Sequence, residues 1–156
     1  MKLKREAHAL FVQGTGTSWQ IVGEDIDDMS VEMNGSFDSS KNILGEDRVT
    51  DTGYAPSIGV DTYYANPDDN IYEFLKDIAM NRKSGDEAKG KYLEVLIEKT
   101  TGSNDAWQED CIFEVTSYGG AAGGSLNIAY TVHPCGNRKK GTATIENKQP
   151  TFVEGL

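Results

Sequence analysis

The sequence predicts a mainly β domain, a sandwich or barrel of antiparallel strands with one flanking α-helix, and three observations carry that expectation. Apolar residues alternate with polar ones in several separate runs. A single stretch shows helical spacing. The runs are joined by turn-forming residues and not by further helices, which favours antiparallel sheets. The chain has 156 residues, the size of one ordinary domain.

The stretch 57–83 organises the rest. Ile58, Val60, Thr62 and Tyr64 fall on one side of an expected strand over 57–64, with Ser57, Gly59 and Asp61 on the other. The period then changes to that of a helix: Ile71, Phe74, Leu75, Ile78 and Ala79 form one apolar stripe over 71–82, and Glu73, Lys76, Asp77 and Arg82 take the wet side. Asn66 can cap, Pro67 suits a first turn, and Asp68 and Asp69 sit where the helix dipole favours negative charge. Gly85 is the expected stop.

Around this unit the chain reads as about seven strands. Residues 1–18 are expected to form an arm, with a short apolar patch at 9–12. Trp19–Val22 opens the sheet, and an acidic turn follows at 23–28. Met29, Val31, Met33 and Phe37 alternate with polar residues as one core-facing strand. From 38 to 56 no period is visible, which predicts a long loop; structureless connections of that length inside a domain are commonly functional. Leu93, Val95 and Ile97 alternate with Glu94 and Glu98 on an acidic wet face. Cys111, Phe113 and Val115, then Leu126, Ile128, Tyr130 and Val132, mark two further strands about a Gly-rich turn at 118–124. A turn is expected at 134–140, a last strand at 141–146, and an unpatterned tail at 147–156.

Charge and composition exclude several function classes. The net charge is −10, which opposes a grip on phosphate backbones. Lys2, Lys4 and Arg5, and then Arg138, Lys139 and Lys140, are short clusters without interleaved stacking aromatics. Two cysteines, Cys111 and Cys135, are too few for a disulfide framework and favour a reducing compartment. No run is long and apolar enough for a membrane-spanning helix, and the N-terminus lacks the apolar core of a signal peptide, so folding in the cytoplasm is expected.

Candidate chemistry is sparse. The glycines of 14–18 lack a Walker lysine and lead into a strand, not a helix N-terminus. The acidic turn 24–28 lacks the spacing of an EF-hand loop. His133 and Cys135 have no further ligands at zinc spacing. The glycines of 119–124 read as a hairpin turn. No catalytic residue, cofactor or metal site is assigned, and the chain is not expected to be an enzyme.

The order of features nevertheless forms a pattern: a charged arm, an alternating strand, a loop through Lys41-Asn42-Ile43-Leu44-Gly45, the Gly53-Tyr54-Ala55-Pro56-Ser57-Ile58 entry into a strand, a Tyr63-Tyr64 ending and the helix from Ile71 to Arg82. Over roughly 19–146 the sequence resembles the tail tube (major tail) proteins of long-tailed bacteriophages. That resemblance implies two packed antiparallel sheets flanked by a helix, homohexameric rings, and stacking of those rings into a hollow tube through which DNA is ejected without specific binding. It also implies a virion tail assembled in the host cytoplasm, with tape-measure, tail terminator and tail-tip proteins as partners and no membrane. On this reading Glu32, Asn34, Glu94 and Glu98 are candidates to line the lumen, where carboxylates repel phosphate. Ile43, Leu44, Val49 and Tyr54 are candidates for contact between subunits, and the arm, the loop and the tail are the pieces expected to reach neighbours. The competing expectation is a monomeric carbohydrate- or ligand-binding β-sandwich with Trp19, Trp107, Tyr118 or Tyr130 as a stacking platform.

Overall fold

A computed structural model describes residues 2–16 and 18–155, and the chain in it is mainly antiparallel β with one helix. The elements run β1 (His8–Gln13), β2 (Gln20–Val22), β3 (Val31–Glu32), β4 (Gly35–Lys41), β5 (Asp47–Tyr54), β6 (Ser57–Val60), α1 (Tyr72–Asn81), β7 (Lys89–Leu96), β8 (Asn104–Gly119), β9 (Asn127–Glu146) and β10 (Gln149–Glu154). One sheet has the order β2-β1-β7-β8-β9-β6-β3, with β10 also paired to β9. Strands β4 and β5 form a separate two-stranded ribbon.

The long strands β8 and β9 give the sheet its shape. β8 runs along one side of β9, while the other side of β9 takes β6 at residues 130–132 and β10 at residues 141–146. The β8–β9 register shifts at 108–111 and again at 115–117. Bulges of this kind bend a strand and increase its twist, so one hairpin supplies two differently oriented halves of the sheet.

Two apolar cores result, on opposite faces of β1 and β7. Leu10, Val12, Tyr92, Phe113, Tyr130 and Val132 join Ile58 and Val60 of β6 and the helix stripe in the larger core. Phe11, Leu93, Val95, Ala106 and Ala143 form the smaller one, with Trp19, Ile21, Ile145 and Phe152 packed around it. The helix buries Phe74, Leu75 and Ile78, and Ile71 at its N-terminal cap is also buried, in agreement with the predicted stripe. Phe74 meets Phe113 edge-on at a ring separation of 5.1 Å, the geometry that aromatic quadrupoles favour. Gly90 is required by this packing: a Cβ there would run into the Gln13 carbonyl and come within 2.8 Å of the Phe113 ring.

Several expectations need correction. Residues 8–13 are not an arm but β1, an interior strand between β2 and β7, with Leu10, Phe11 and Val12 fully buried. The tail 147–156 contains β10, which pairs with β9. The turn expected at 134–140 is continuous strand within β9; Pro134 and Gly136 mark the bulge opposite 108–111. The strand expected over 29–37 breaks at Asn34, whose φ of 50° takes the chain out of extended conformation. Only Met29 of its apolar set is buried; Met33 and Phe37 are exposed. The loop expected over 38–56 is largely the β4–β5 ribbon.

At the helix ends the signals act elsewhere. Asn66 caps a separate turn, its Oδ1 accepting from the Asp68 N–H at 3.0 Å, and α1 starts only at Tyr72. The left-handed residue closing the helix is Arg82, with the Lys83 N–H donating to the Ile78 carbonyl at 3.1 Å. The strand 57–64 ends at Val60, and Tyr64 keeps a single bridge to Asn127.

Phe113 tests this packing, since it touches both the helix and β9 through aromatic contacts. Phe113→Ala is expected to lower unfolding free energy by about 3–5 kcal/mol, measured by urea denaturation. A loss under about 1 kcal/mol would contradict the helix-on-sheet packing.

Candidate functional site

Two features outside the cores have the makings of a site: the β4–β5 ribbon and a groove at its base. The ribbon departs from the sheet between Asn34 and Ala55. The Asn34 side chain fastens that junction by donating to the Ala55 carbonyl at 3.0 Å and to Ser57 Oγ at 3.2 Å. At the tip, Asn42 Oδ1 accepts from the N–H groups of Leu44 and Glu46, both at 3.0 Å, so the turn is held by its own hydrogen bonds.

Every residue of β4 and all but Gly53 of β5 are exposed. Residues 37, 39 and 41 share a face with their partners 51, 49 and 47, which puts Phe37 and Val49 on one side of the ribbon. At the tip Ile43 is wholly exposed and Leu44 is 75% exposed. The four residues expected to make subunit contacts, Ile43, Leu44, Val49 and Tyr54, thus all lie on this one ribbon. Phe37 belongs with them, although its alternation with Met29 and Val31 made it look like core.

The groove, of about 780 Å³, lies between the face of β7–β9 beyond the larger core and the segment that leads into the ribbon. Its floor is polar. The Tyr92 hydroxyl donates to Glu109 Oε1 at 2.7 Å, and Arg138 Nη1 donates to Tyr92 Oη at 2.8 Å and to Glu109 Oε1 at 2.9 Å. The Gly136 N–H donates to the second Glu109 oxygen at 3.2 Å. Arg138 Nη2 also lies 3.7 Å from Glu94, which faces His8 Nε2 at 3.5 Å. The carboxylates of Glu94 and Glu109 are only 15% and 12% exposed. A shared guanidinium is what makes two carboxylates tolerable at that depth. The walls are mixed: Leu3, Met33, Leu96 and, at the ribbon's root, Tyr54 supply apolar surface, and Lys4 and Arg5 of the segment before β1 supply cations.

The expected lumen residues are dispersed. Glu32 is exposed on β3, at the edge of the sheet, and Asn34 holds the ribbon base. Glu98 lies just beyond β7, where its N–H donates to Asn104 Oδ1 at 3.1 Å. Glu94, expected on a wet face, is instead ion-paired and mostly covered. Strands β8, β9 and β6 intervene between β7 and β3.

The aromatic platform also changes character. Tyr130 is a core residue, and Trp107 has the cationic ends of Arg138 and Lys140 over its ring at 6.0 and 5.8 Å. Among the described residues no cluster of three or more His, Cys, Asp or Glu side chains could hold a metal ion, and no helix is long and apolar enough to cross a membrane. Compared with known proteins, the chain matches no family model and no curated relative.

The floor gives a spectroscopic prediction. Burial first, and then the hydrogen bond to Glu109, raise the Tyr92 pKa far above the usual phenol range. Burial does the same for Tyr63, with help from its hydrogen bond to Asp69, and for Tyr130. A raised folded pKa keeps its stabilising effect below the unfolded value of about 10 and loses it as pH rises above that value. Absorbance titration should therefore show three of the seven tyrosines ionising only as the protein unfolds in alkali. Ordinary titration of all seven in the folded protein would contradict the Tyr92–Glu109–Arg138 floor.

Proposed function

We propose that this chain is a structural subunit that assembles with copies of itself into the rings of a phage tail tube-like conduit, with no catalytic role. The observation that carries the reading is the β4–β5 ribbon, an ordered extension with Phe37, Ile43, Leu44, Val49 and Tyr54 exposed along it. A two-stranded ribbon alone is marginal in water, and five large apolar side chains exposed on one such element would be covered by contact with another surface. The resemblance in sequence order and the mainly antiparallel fold with one flanking helix agree with such a subunit. Residues 8–13 of the expected arm and 149–154 of the expected tail are strands of the chain's own sheet, so in this reading the reach falls to the ribbon. A net charge of −10 suits a wall past which DNA slides without being held. Tape-measure, terminator and tail-tip proteins are the partners this role would require, and a virion tail built in the host cytoplasm is its place.

The competing ligand-binding reading draws on the groove. Its stacking platform is weakened by the burial of Tyr130, the packing of Trp19 against the smaller core and the cations over Trp107, and Tyr118, 52% exposed, does not line the groove.

Negative-stain imaging and light scattering of the concentrated protein test the proposal. Rings or tubes are expected, and a strict monomer at high concentration would overturn it. The double variant Ile43→Asp/Leu44→Asp should fold with stability within about 0.5 kcal/mol of the parent, as exposed substitutions do, yet lose assembly. Undiminished assembly by that variant would remove the ribbon from the mechanism.

A further inference from the structure

The geometry points to a specific partner for the groove: the ribbon tip of a second copy, with Ile43 and Leu44 entering between Met33 and Leu96. This inference rests on the self-assembly reading and names the contact that would carry it.

Three features of the molecule argue for that occupant. The first is chemical match. The tip offers two adjacent aliphatic side chains on a turn stiffened by Asn42, and the groove offers Met33 and Leu96 over a floor whose polar atoms already satisfy one another, with Lys4 and Arg5 also in its lining. Such a floor needs no polar ligand, and an aliphatic knob can cover it without stranding a donor or acceptor.

The second is charge. The ribbon carries Asp38, Glu46, Asp47 and Asp51 against Lys41 and Arg48, so it is acidic. The groove carries Lys4, Arg5 and Arg138 against Glu94 and Glu109, an excess of cations in a strongly acidic chain. Glu46 beside the tip and Lys4 at the groove have no ion-pair partner among the described residues. Complementary fields of this kind set orientation and suppress wrong partners.

The third is reach. Tyr54, at the ribbon's root, lines the groove, while the tip stands seven residues of β4 away, roughly 20 Å at strand rise. Neither Ile43 nor Leu44 lines the groove of its own chain. Knob and hole sit at opposite ends of one element, so tip and groove can join copies head-to-tail, which closes a ring or extends a stack, whereas reciprocal exchange between two copies would stop at a dimer and would overturn the head-to-tail contact.

Cysteine crosslinking tests the contact. In a Cys135→Ser background, which leaves only the buried Cys111 thiol, Leu44→Cys and Met33→Cys are introduced singly and together, and the concentrated protein is oxidised. The double variant is expected to give a ladder of dimers, trimers and higher covalent oligomers on non-reducing gels, collapsed by reductant, with neither single variant producing it. Tubes or rings by imaging without that ladder would overturn the tip-in-groove contact while leaving the self-assembly reading standing, and would point to another occupant for the groove. Efficient dimers from Leu44→Cys alone would also overturn it, because they require tip-to-tip pairing. A parent protein that stays monomeric would overturn both.

Discussion

The bend in the long β8–β9 hairpin is the constraint on which the rest of the structure depends. Because the register shifts at 108–111 and 115–117, one pair of strands supports β6 and the helix in one half and β7 and β10 in the other. Pro134 fits within β9 because it falls where the ladder is interrupted. The bend also creates the groove. Where β7, β8 and β9 run past the larger core, their face carries Tyr92, Glu94, Glu109 and Arg138 in place of aliphatic residues, and the segment leading to the ribbon forms the opposite wall.

The ribbon answers to different physics. It has no second layer, so its order comes from cross-strand pairing, from the Asn42-held turn and from the Asn34 fastening at its root. Apolar residues exposed on such an element gain little within the single chain, since the described residues leave them largely uncovered. Their burial becomes favourable only against another surface, and this is the physical reason for treating the ribbon as unfinished structure. By contrast β1 and β10 are paired within the chain, β1 with β2 and β7 and β10 with β9.

What could be read in the sequence followed burial. Alternation was legible where one face of a strand packs on a core, as at Cys111, Phe113 and Val115 or Ile128, Tyr130 and Val132, and the helix stripe was legible for the same reason. β1 escaped because Leu10, Phe11 and Val12 are buried on both faces, and a strand covered on both sides has no alternation to show. The ribbon escaped for the opposite reason: with neither face buried, its Gly, Asp, Ser and Thr content reads as loop. Glu94 looked solvated because its partners, His8 on β1 and Arg138 on β9, are distant in sequence. Only the strand order brings them together. Ile43, Leu44, Val49 and Tyr54 could be singled out because apolar side chains in a polar stretch stand out, and the structure leaves all four exposed on the ribbon.

Hydrogen–deuterium exchange across the ribbon, measured on dilute and concentrated protein, is the most direct test of the idea that copies of the chain complete one another. Amides of 35–54 should be weakly protected when dilute and gain strong protection on concentration, while the β8–β9 amides stay unchanged. Equal exchange in the ribbon at both concentrations would contradict it.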